Sequence, residues 1–343
     1  MNLSIFVPTK NRFYYLSKLI KYYSSINFNG ELIILDSSDD EIIENINKLI
    51  QSFKNLNIKL FHSFGLPCAM MKKYIDEASN DYVVFSGDDD YFVKKGLMDC
   101  IKFLEINPNF SGCNGEGICV HSSSKKNKID YIDDYEQANI NGINSMERIN
   151  QQFNKYKVPI FSIFRKNYFK KFLEPVPTKE VFESSCPDKA IADEYIIEGA
   201  MVAYGNIHKL NSPYLVRHIH KERNIDNLVP DFKKDWINTP NFEKSKNYFF
   251  IKMSEIISKN DKIDIDQALK FFNEKFNIHL NYELKKEKKY ILKIFLSKTL
   301  LKIRPIKNLR YFLKRNIFTD KKYSKIKTNK DYSLIINSIE GKI

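Results

Sequence analysis

Three adjacent aspartates, Asp88-Asp89-Asp90, follow directly on the apolar run Tyr82–Ser86. Carboxylates this close repel one another, and more so in a cleft, where burial disfavours the charged form. A hard divalent cation offsets that repulsion. Mg²⁺ or Mn²⁺ takes one or two carboxylates and fills its other positions with phosphate oxygens and water. The competing reading is a solvated acidic turn ahead of a helix that begins near Val93. The place at the end of a buried strand favours the cation. Asp36 closes the apolar run Glu31–Leu35 in the same manner. Its carboxylate can accept a hydrogen bond from a nucleobase N–H, although Asp36-Ser37-Ser38-Asp39 is also good turn composition. Further on, Arg217-His218-Ile219-His220 lies in a strand-like run, and alternation puts His218 and His220 on one face. They are either metal ligands or histidines satisfied within the fold. Ala192-Asp193-Glu194-Tyr195 opens a helical run that ends before Gly205. By residue type alone, Asp193 and Glu194 are first-turn acids favoured by the helix dipole.

These residues need strands that end on a common rim. Ser4–Pro8, Glu31–Leu35, Ile58–Phe61 and Asp81–Ser86 are short apolar runs, separated by helical spacing over Phe13–Tyr23, Ile42–Phe53 and Pro67–Ser79. Such alternation predicts an α/β fold, a Rossmann-like three-layer α/β/α arrangement with a mostly parallel sheet. Ligands in such sheets bind beyond the carboxyl ends of the strands. Gly117–His121, Val158–Arg165, Ile207–Leu210 and Tyr214–Ile219 read as later strands, with a loop or hairpin near Ile129–Tyr135 and helices at Asn167–Leu173 and Asp188–Ala203. Beyond about Pro240 the pattern is helical and lysine-rich. The expected organisation is a first domain over 1–235 and a helical, basic C-terminal extension over 236–343.

The chain has 343 residues, 43% hydrophobic and 28% charged, which excludes disordered and collagen-like classes. Its five cysteines form no CxxC pair, so neither a disulfide framework nor a zinc knuckle is indicated. No apolar stretch reaches 18 residues and the chain opens directly in a strand, so the expected location is cytoplasmic. The net charge of +13 is concentrated: Asn281–Lys330 holds 17 Lys and Arg against 3 acidic residues. A helix over Tyr290–Ile303 would have an apolar face with a basic edge. It can pack on the first domain, or segment 285–330 can lie on an anionic membrane surface and make the protein peripheral on the inner face of the cytoplasmic membrane. No recognisable RNA or DNA module is present, so nucleic acid is not an expected partner. No GxSxG, HExxH or P-loop occurs.

Three segments taken in order, Phe6-Val7-Pro8-Thr9-Lys10-Asn11-Arg12, Ile33-Ile34-Leu35-Asp36-Ser37-Ser38-Asp39 and Tyr82-Val83-Val84-Phe85-Ser86-Gly87-Asp88-Asp89-Asp90, resemble the family 2 glycosyltransferases of the GT-A fold. The N-terminal half of that family runs strand–PTxNR–helix, strand–DDxSxD and strand–DxD. The resemblance covers residues 2–110 well, 155–225 weakly and the C-terminal hundred not at all. It implies that Pro8, Thr9 and Arg12 line a nucleotide pocket, that Asp36 contacts the base, that Asp88 touches the ribose or the metal, and that Asp89 is the direct ligand of Mn²⁺ or Mg²⁺. Two departures stand out. The family's DSDD is here Gly87-Asp88-Asp89-Asp90, and its ARN is Met71-Lys72, leaving Lys72 to reach a diphosphate or to be a solvated helix lysine. By resemblance, Ala192-Asp193-Glu194-Tyr195 matches the element that supplies the base, with Asp193 preferred, and His218 or His220 matches a late metal ligand. The implied activity is transfer of a sugar from a nucleotide-diphosphate donor to a glycan or lipid-linked acceptor, with inversion, in bacterial surface polysaccharide assembly. The alternatives are a nucleotidyltransferase acting on sugar phosphates, whose Gly-rich loop after the first strand is missing, and a non-catalytic nucleotide-sugar binding module.

Overall fold

The structure, a computed structural model, describes residues 1–122, 128–177, 194–220, 222, 242–300 and 329–343; for 242, 283, 284 and 286–300 it describes the helical backbone alone. The first strand, β1 (Leu3–Thr9), is buried along almost its whole length, as an apolar run flanked by strands on both sides must be. It leads into α1 (Phe13–Ser25), which turns Leu16, Leu19, Ile20, Tyr22 and Tyr23 inward at helical spacing. Then follow β2 (Glu31–Asp36), α2 (Asp40–Ser52), β3 (Asn57–His62), α3 (Pro67–Tyr74) and β4 (Tyr82–Phe85). Proline at the start of α3 costs nothing, because its missing N–H has no partner there in any helix.

The remaining elements are β5 (Tyr91–Phe92), α4 (Lys94–Ile106), β6 (Phe110–His121), β7 (Tyr131–Tyr135), α5 (Ser145–Asn154), β8 (Ile163–Arg165), α6 (Lys166–Leu173), α7 (Ile196–Tyr204), β9 (Asn206–Ile219), α8 (Phe242–Asp261), α9 (Ile265–Leu300) and α10 (Lys330–Ile339). The nine strands of the sheet run in the order β3-β2-β1-β4-β8-β6-β9-β5, with β7 added on β6. Strands β3, β2, β1 and β4 are mutually parallel, as expected from the strand–helix alternation. Beyond them the sheet is mixed: β8 runs antiparallel to β4 and β6, while β9 is parallel to β6. The chain steps outward from β1 to β3 and then returns to β4 on the other side of β1. That reversal opens a crevice at the carboxyl ends of β1 and β4, the usual ligand position in such sheets.

Two local readings are corrected. The strand read over Val158–Arg165 is confined to Ile163–Arg165. The two late strands are one, β9, which continues through Asn211-Ser212-Pro213 by slipping register against β6. Bulges are where a sheet tolerates a proline. The glycines of Gly112–Gly117 are needed for strand contact: a Cβ on Gly115 would lie 2.5 Å from the Ser212 carbonyl oxygen.

The C-terminal helices share the core of the sheet domain. Phe249 of α8 and Phe272 and Phe276 of α9 pack with Tyr195 and Phe153. Asp261 caps α5, accepting from the backbone N–H groups of Ser145 and Met146 at 2.8 and 2.9 Å. Helix α10 buries Tyr332, Ile335, Ile336 and Ile339, and Lys18 of α1 donates to the Ile339 carbonyl at 2.9 Å. Among the described residues, no helix is long and apolar enough to cross a membrane. The boundary read at residue 235 and nearly all of the basic segment 285–330, Tyr311, Phe312 and Phe318 included, lie outside the described residues or their described side chains.

Candidate active site

The loop after β1 turns sharply at Asn11, whose φ of 55° lies in the left-handed region that asparagine tolerates. Asn11 is laced to the loop after β2: its N–H donates to Ser38 Oγ at 2.7 Å, and its side chain exchanges bonds with Asp39. This turn aims Thr9 and Arg12 at the end of β4. Thr9 Oγ1 donates to Asp88 at 2.8 Å, and Arg12 Nε donates to both Asp88 oxygens at 2.8 and 3.0 Å. Arg12 also reaches Asp89 through Nη2 and the Glu222 carbonyl through Nη1. Pro8 lies half-buried in β1 beside Leu35.

The other wall comes from β9. The two-residue strand β5 pairs Tyr91 with Val216, which draws Asp90 against Arg217. Arg217 Nε lies 3.4 Å from Asp90, and the His218 backbone N–H donates to Asp90 at 3.3 Å. The two imidazoles share a face, with ring centroids 4.7 Å apart. His220 Nε2 lies 2.9 Å from Asp89 Oδ2, and its Nδ1 accepts from the Glu222 N–H at 3.2 Å. The His220 ring stacks on Tyr15 at 4.2 Å, and the Arg12 guanidinium covers Tyr15 at 4.6 Å. Tyr15 in turn donates to the Glu222 carboxylate at 3.0 Å.

The three aspartates are thus divided among different partners. Asp88 is buried and feels Asp89; its carboxyl is pushed up to about 7, against the pull of Arg12. Burial works on Asp89 too, but the His220 hydrogen bond and the Arg12 charge hold it well below the usual carboxylate range. Burial, then His220, lowers His218 to about 3, so its ring is neutral at ordinary pH. His218 Nε2 bonds Ser122 Oγ at 3.0 Å. The loop carries three carboxylates against two guanidiniums, Arg12 and Arg217, which leaves room for added positive charge.

Other expected site residues sit in separate networks. Asp36 is fully buried at the end of β2, bonded to Ser38 Oγ at 2.6 Å and His62 Nδ1 at 2.7 Å. Lys72 donates to the carbonyls of Glu174 and Val176, both at 2.8 Å, with no carboxylate of the aspartate loop among these partners. Glu194 lies 3.2 Å from the Tyr156 hydroxyl, which is also bonded to the buried Glu198. Asp193 lies outside the described residues. Sequence reasoning missed the Asp90–Arg217 pair, Tyr15, Glu222 and Glu198. Only the last had a local signal, an acid four residues beyond Glu194 on the same helical face.

Residues 4–173 match Glycosyl transferase family 2. The chain belongs to that family through this N-terminal half. An uncharacterized glycosyltransferase of Haemophilus influenzae is 28% identical over 138 residues, covering 38% of this chain and 55% of that protein. The poly(ribitol-phosphate) beta-N-acetylglucosaminyltransferase TarS of Staphylococcus aureus is 25% identical over 132 residues, covering 34% of this chain and 22% of TarS. The matched region therefore spans about half or less of these relatives' own length. The crystal structure of S. aureus TarS 1–349 in complex with UDP-GlcNAc superposes with a TM-score of 0.50 at 15% identity, over 82% of this chain and 73% of that one. At that identity the likeness establishes the fold, a GT-A glycosyltransferase fold.

Proposed function

We propose that this family 2 glycosyltransferase moves a sugar from a nucleotide-diphosphate donor to an acceptor hydroxyl, with inversion, using Mn²⁺ or Mg²⁺ held by Asp89 and His220. The observation that carries this reading is the convergence of Asp89 Oδ2 and His220 Nε2 at 2.9 Å, at the carboxyl end of the sheet. Adjacent ligands of an octahedral ion with bonds of about 2.1 Å stand roughly 3.0 Å apart, so the pair fits two neighbouring positions, leaving the rest to phosphate oxygens and water. A carboxylate oxygen with an imidazole nitrogen is a donor set that suits Mn²⁺ in particular. When bound, the ion supplies positive charge to the departing diphosphate.

The chain's own groups do the remaining work. Arg12 orients Asp88 and Asp89 and helps hold Asp89 ionised, and Thr9 fixes the Oδ2 oxygen of Asp88. Ligation through His220 Nε2 needs the ring proton on Nδ1, where Glu222 N–H now donates. A metal at Nε2 would therefore be held by the tautomer that gives up this bond from the Glu222 N–H. Asp193 or Glu194 takes the proton of the acceptor hydroxyl as the sugar carbon is attacked. Pro8 and Asp36 close the nucleoside side, Asp36 by holding the β2 loop through Ser38. The likeness to TarS, a poly(ribitol-phosphate) glycosyltransferase whose structure holds UDP-GlcNAc, supports a UDP-linked sugar and an acceptor hydroxyl on a glycan or other polymer. The basic segment 285–330 would hold the enzyme at an anionic membrane surface.

Thermal-shift measurements with UDP-, GDP-, CMP- and dTDP-sugars, with and without Mn²⁺, test this reading. Stabilisation by a nucleoside-diphosphate sugar that needs Mn²⁺ supports it. Stabilisation by CMP-sugars alone overturns the metal-diphosphate mechanism.

A further inference from the structure

We propose that Cys119, His121 and Asp133 form a second cation site, on the β6–β7 hairpin, that takes Zn²⁺ or a comparably thiolate-seeking divalent ion. The ladder pairs Cys119 directly with Asp133 across the two strands. His121 stands two residues beyond Cys119 and so projects from the same face. One ligand atom from each, a sulfur, a nitrogen and an oxygen, lies within 4.8 Å of the other two. His121 Nε2 is already 3.0 Å from Asp133 Oδ1, and its ring is stacked on Tyr131 at 4.0 Å, which limits its rotation.

A tetrahedral zinc ion with bonds of about 2.0–2.3 Å places its ligand atoms roughly 3.3–3.8 Å apart. Small side-chain rotations close the remaining distance, since two ligands share one strand and the third is fixed opposite by the ladder. Three protein ligands leave a fourth position for water. Asp133 is more than half exposed, which gives the ion a path in. The thiol loses its proton to solvent on binding, so affinity rises with pH. The thiolate also separates this site from the Asp89–His220 pair, whose oxygen and nitrogen donors suit harder ions.

The location gives the site a consequence for the active-site rim. Cys119 is the register partner of Arg217, and Val120 that of His218. An ion bridging β6 to β7 pins the hairpin beside the strand that carries both residues. The neighbouring guanidinium does not bar a cation, because Asp90 already neutralises Arg217.

Cobalt titration of the full chain tests the proposal, under reducing, anaerobic conditions with Mg²⁺ in excess to occupy the harder site. One equivalent of Co²⁺ should produce a thiolate-to-cobalt charge-transfer band, and Zn²⁺ should abolish it by displacement. Cys119→Ser should remove the band. Asp133→Asn, at an exposed position where folding is not at risk, should weaken Co²⁺ binding at least about tenfold while circular dichroism stays unchanged. Absence of the band at stoichiometric Co²⁺, or its survival in Cys119→Ser, overturns the proposal. So does unaltered affinity in Asp133→Asn.

Discussion

Replacing Arg217 with methionine tests what holds β9 against the aspartate loop. The guanidinium lies 3.4 Å from Asp90 and covers the rings of Phe161 and Tyr135 at 4.6 and 5.1 Å. Methionine keeps an unbranched, polarizable stem against those two rings, so the packing loss is small. The carboxylate of Asp90 stays behind, only 2% exposed, with its bond from the His218 N–H at 3.3 Å. Removing one partner of a buried ion pair costs about 3–5 kcal/mol, most of it the desolvated charge left over. Because 3.4 Å is long for a charge-assisted bond, the lower end applies, about 3 kcal/mol. Urea unfolding at pH 8 should show this as a lower midpoint with an unchanged slope. Asp90→Asn in the Arg217→Met background should then recover more than half of the loss, since the unmatched charge is gone. A cost below about 1 kcal/mol for the single variant would place the pair among the weak, solvent-screened kind and refute the reasoning. A double variant as unstable as the sum of the two single ones would refute it equally.

Asp89→Ala and His220→Ala should each abolish the Mn²⁺-dependent rise in melting temperature with a UDP-sugar and slow transfer on the order of 100-fold or more; retention of either response counts against the ligand pair. Asp193→Asn and Glu194→Gln, compared by calorimetry and transfer rate, should leave donor affinity within about twofold while one of them stops transfer; equal, mild effects in both would remove the base from this segment. Gly96→Ala puts a Cβ 2.1 Å from the Pro213 carbonyl oxygen and should cost about 1–3 kcal/mol in chemical denaturation, because backbone cannot yield there as a side chain would. Ile336→Ala, in the buried face of α10, should cost about 2–5 kcal/mol if that helix belongs to the core of the sheet domain, and close to nothing if it is merely apposed.

The early half of the fold was legible because its physics is local. Strands β1, β2 and β4 are apolar on both faces, their helices carry a clear inward stripe, and each turn declares itself by polar or acidic residues. The later half was harder to read. Strand β9 runs 14 residues through a proline by register slips that depend on its neighbour β6, and nothing in residues 206–219 alone reveals that neighbour. Strand β5 has two residues, too few to show any period, yet its pairing with Leu215 and Val216 is what brings the aspartates to the histidines. Asp36 and Lys72 show another gap: residue type pointed outward to a ligand, and nothing local foretold the tertiary neighbours, His62 and two carbonyls, that engage them.

The triple aspartate shows why residue type alone cannot assign roles within a motif. The three side chains are chemically identical and adjacent, so any sequence argument treats them as one negative cluster. The backbone after β4 separates them. Asp88 turns back to Thr9 and Arg12, Asp89 faces His220, and Asp90 goes across to Arg217. Asp90 has the Arg217 guanidinium to itself, while Asp88 and Asp89 share Arg12. With Asp88 ionised, one arginine for two carboxylates leaves the site a unit of positive charge short, on the side where β9 supplies the His220 imidazole. In the proposed function a divalent cation delivered with a diphosphate would meet that deficit, which a fold kept only for stability gains nothing from leaving open.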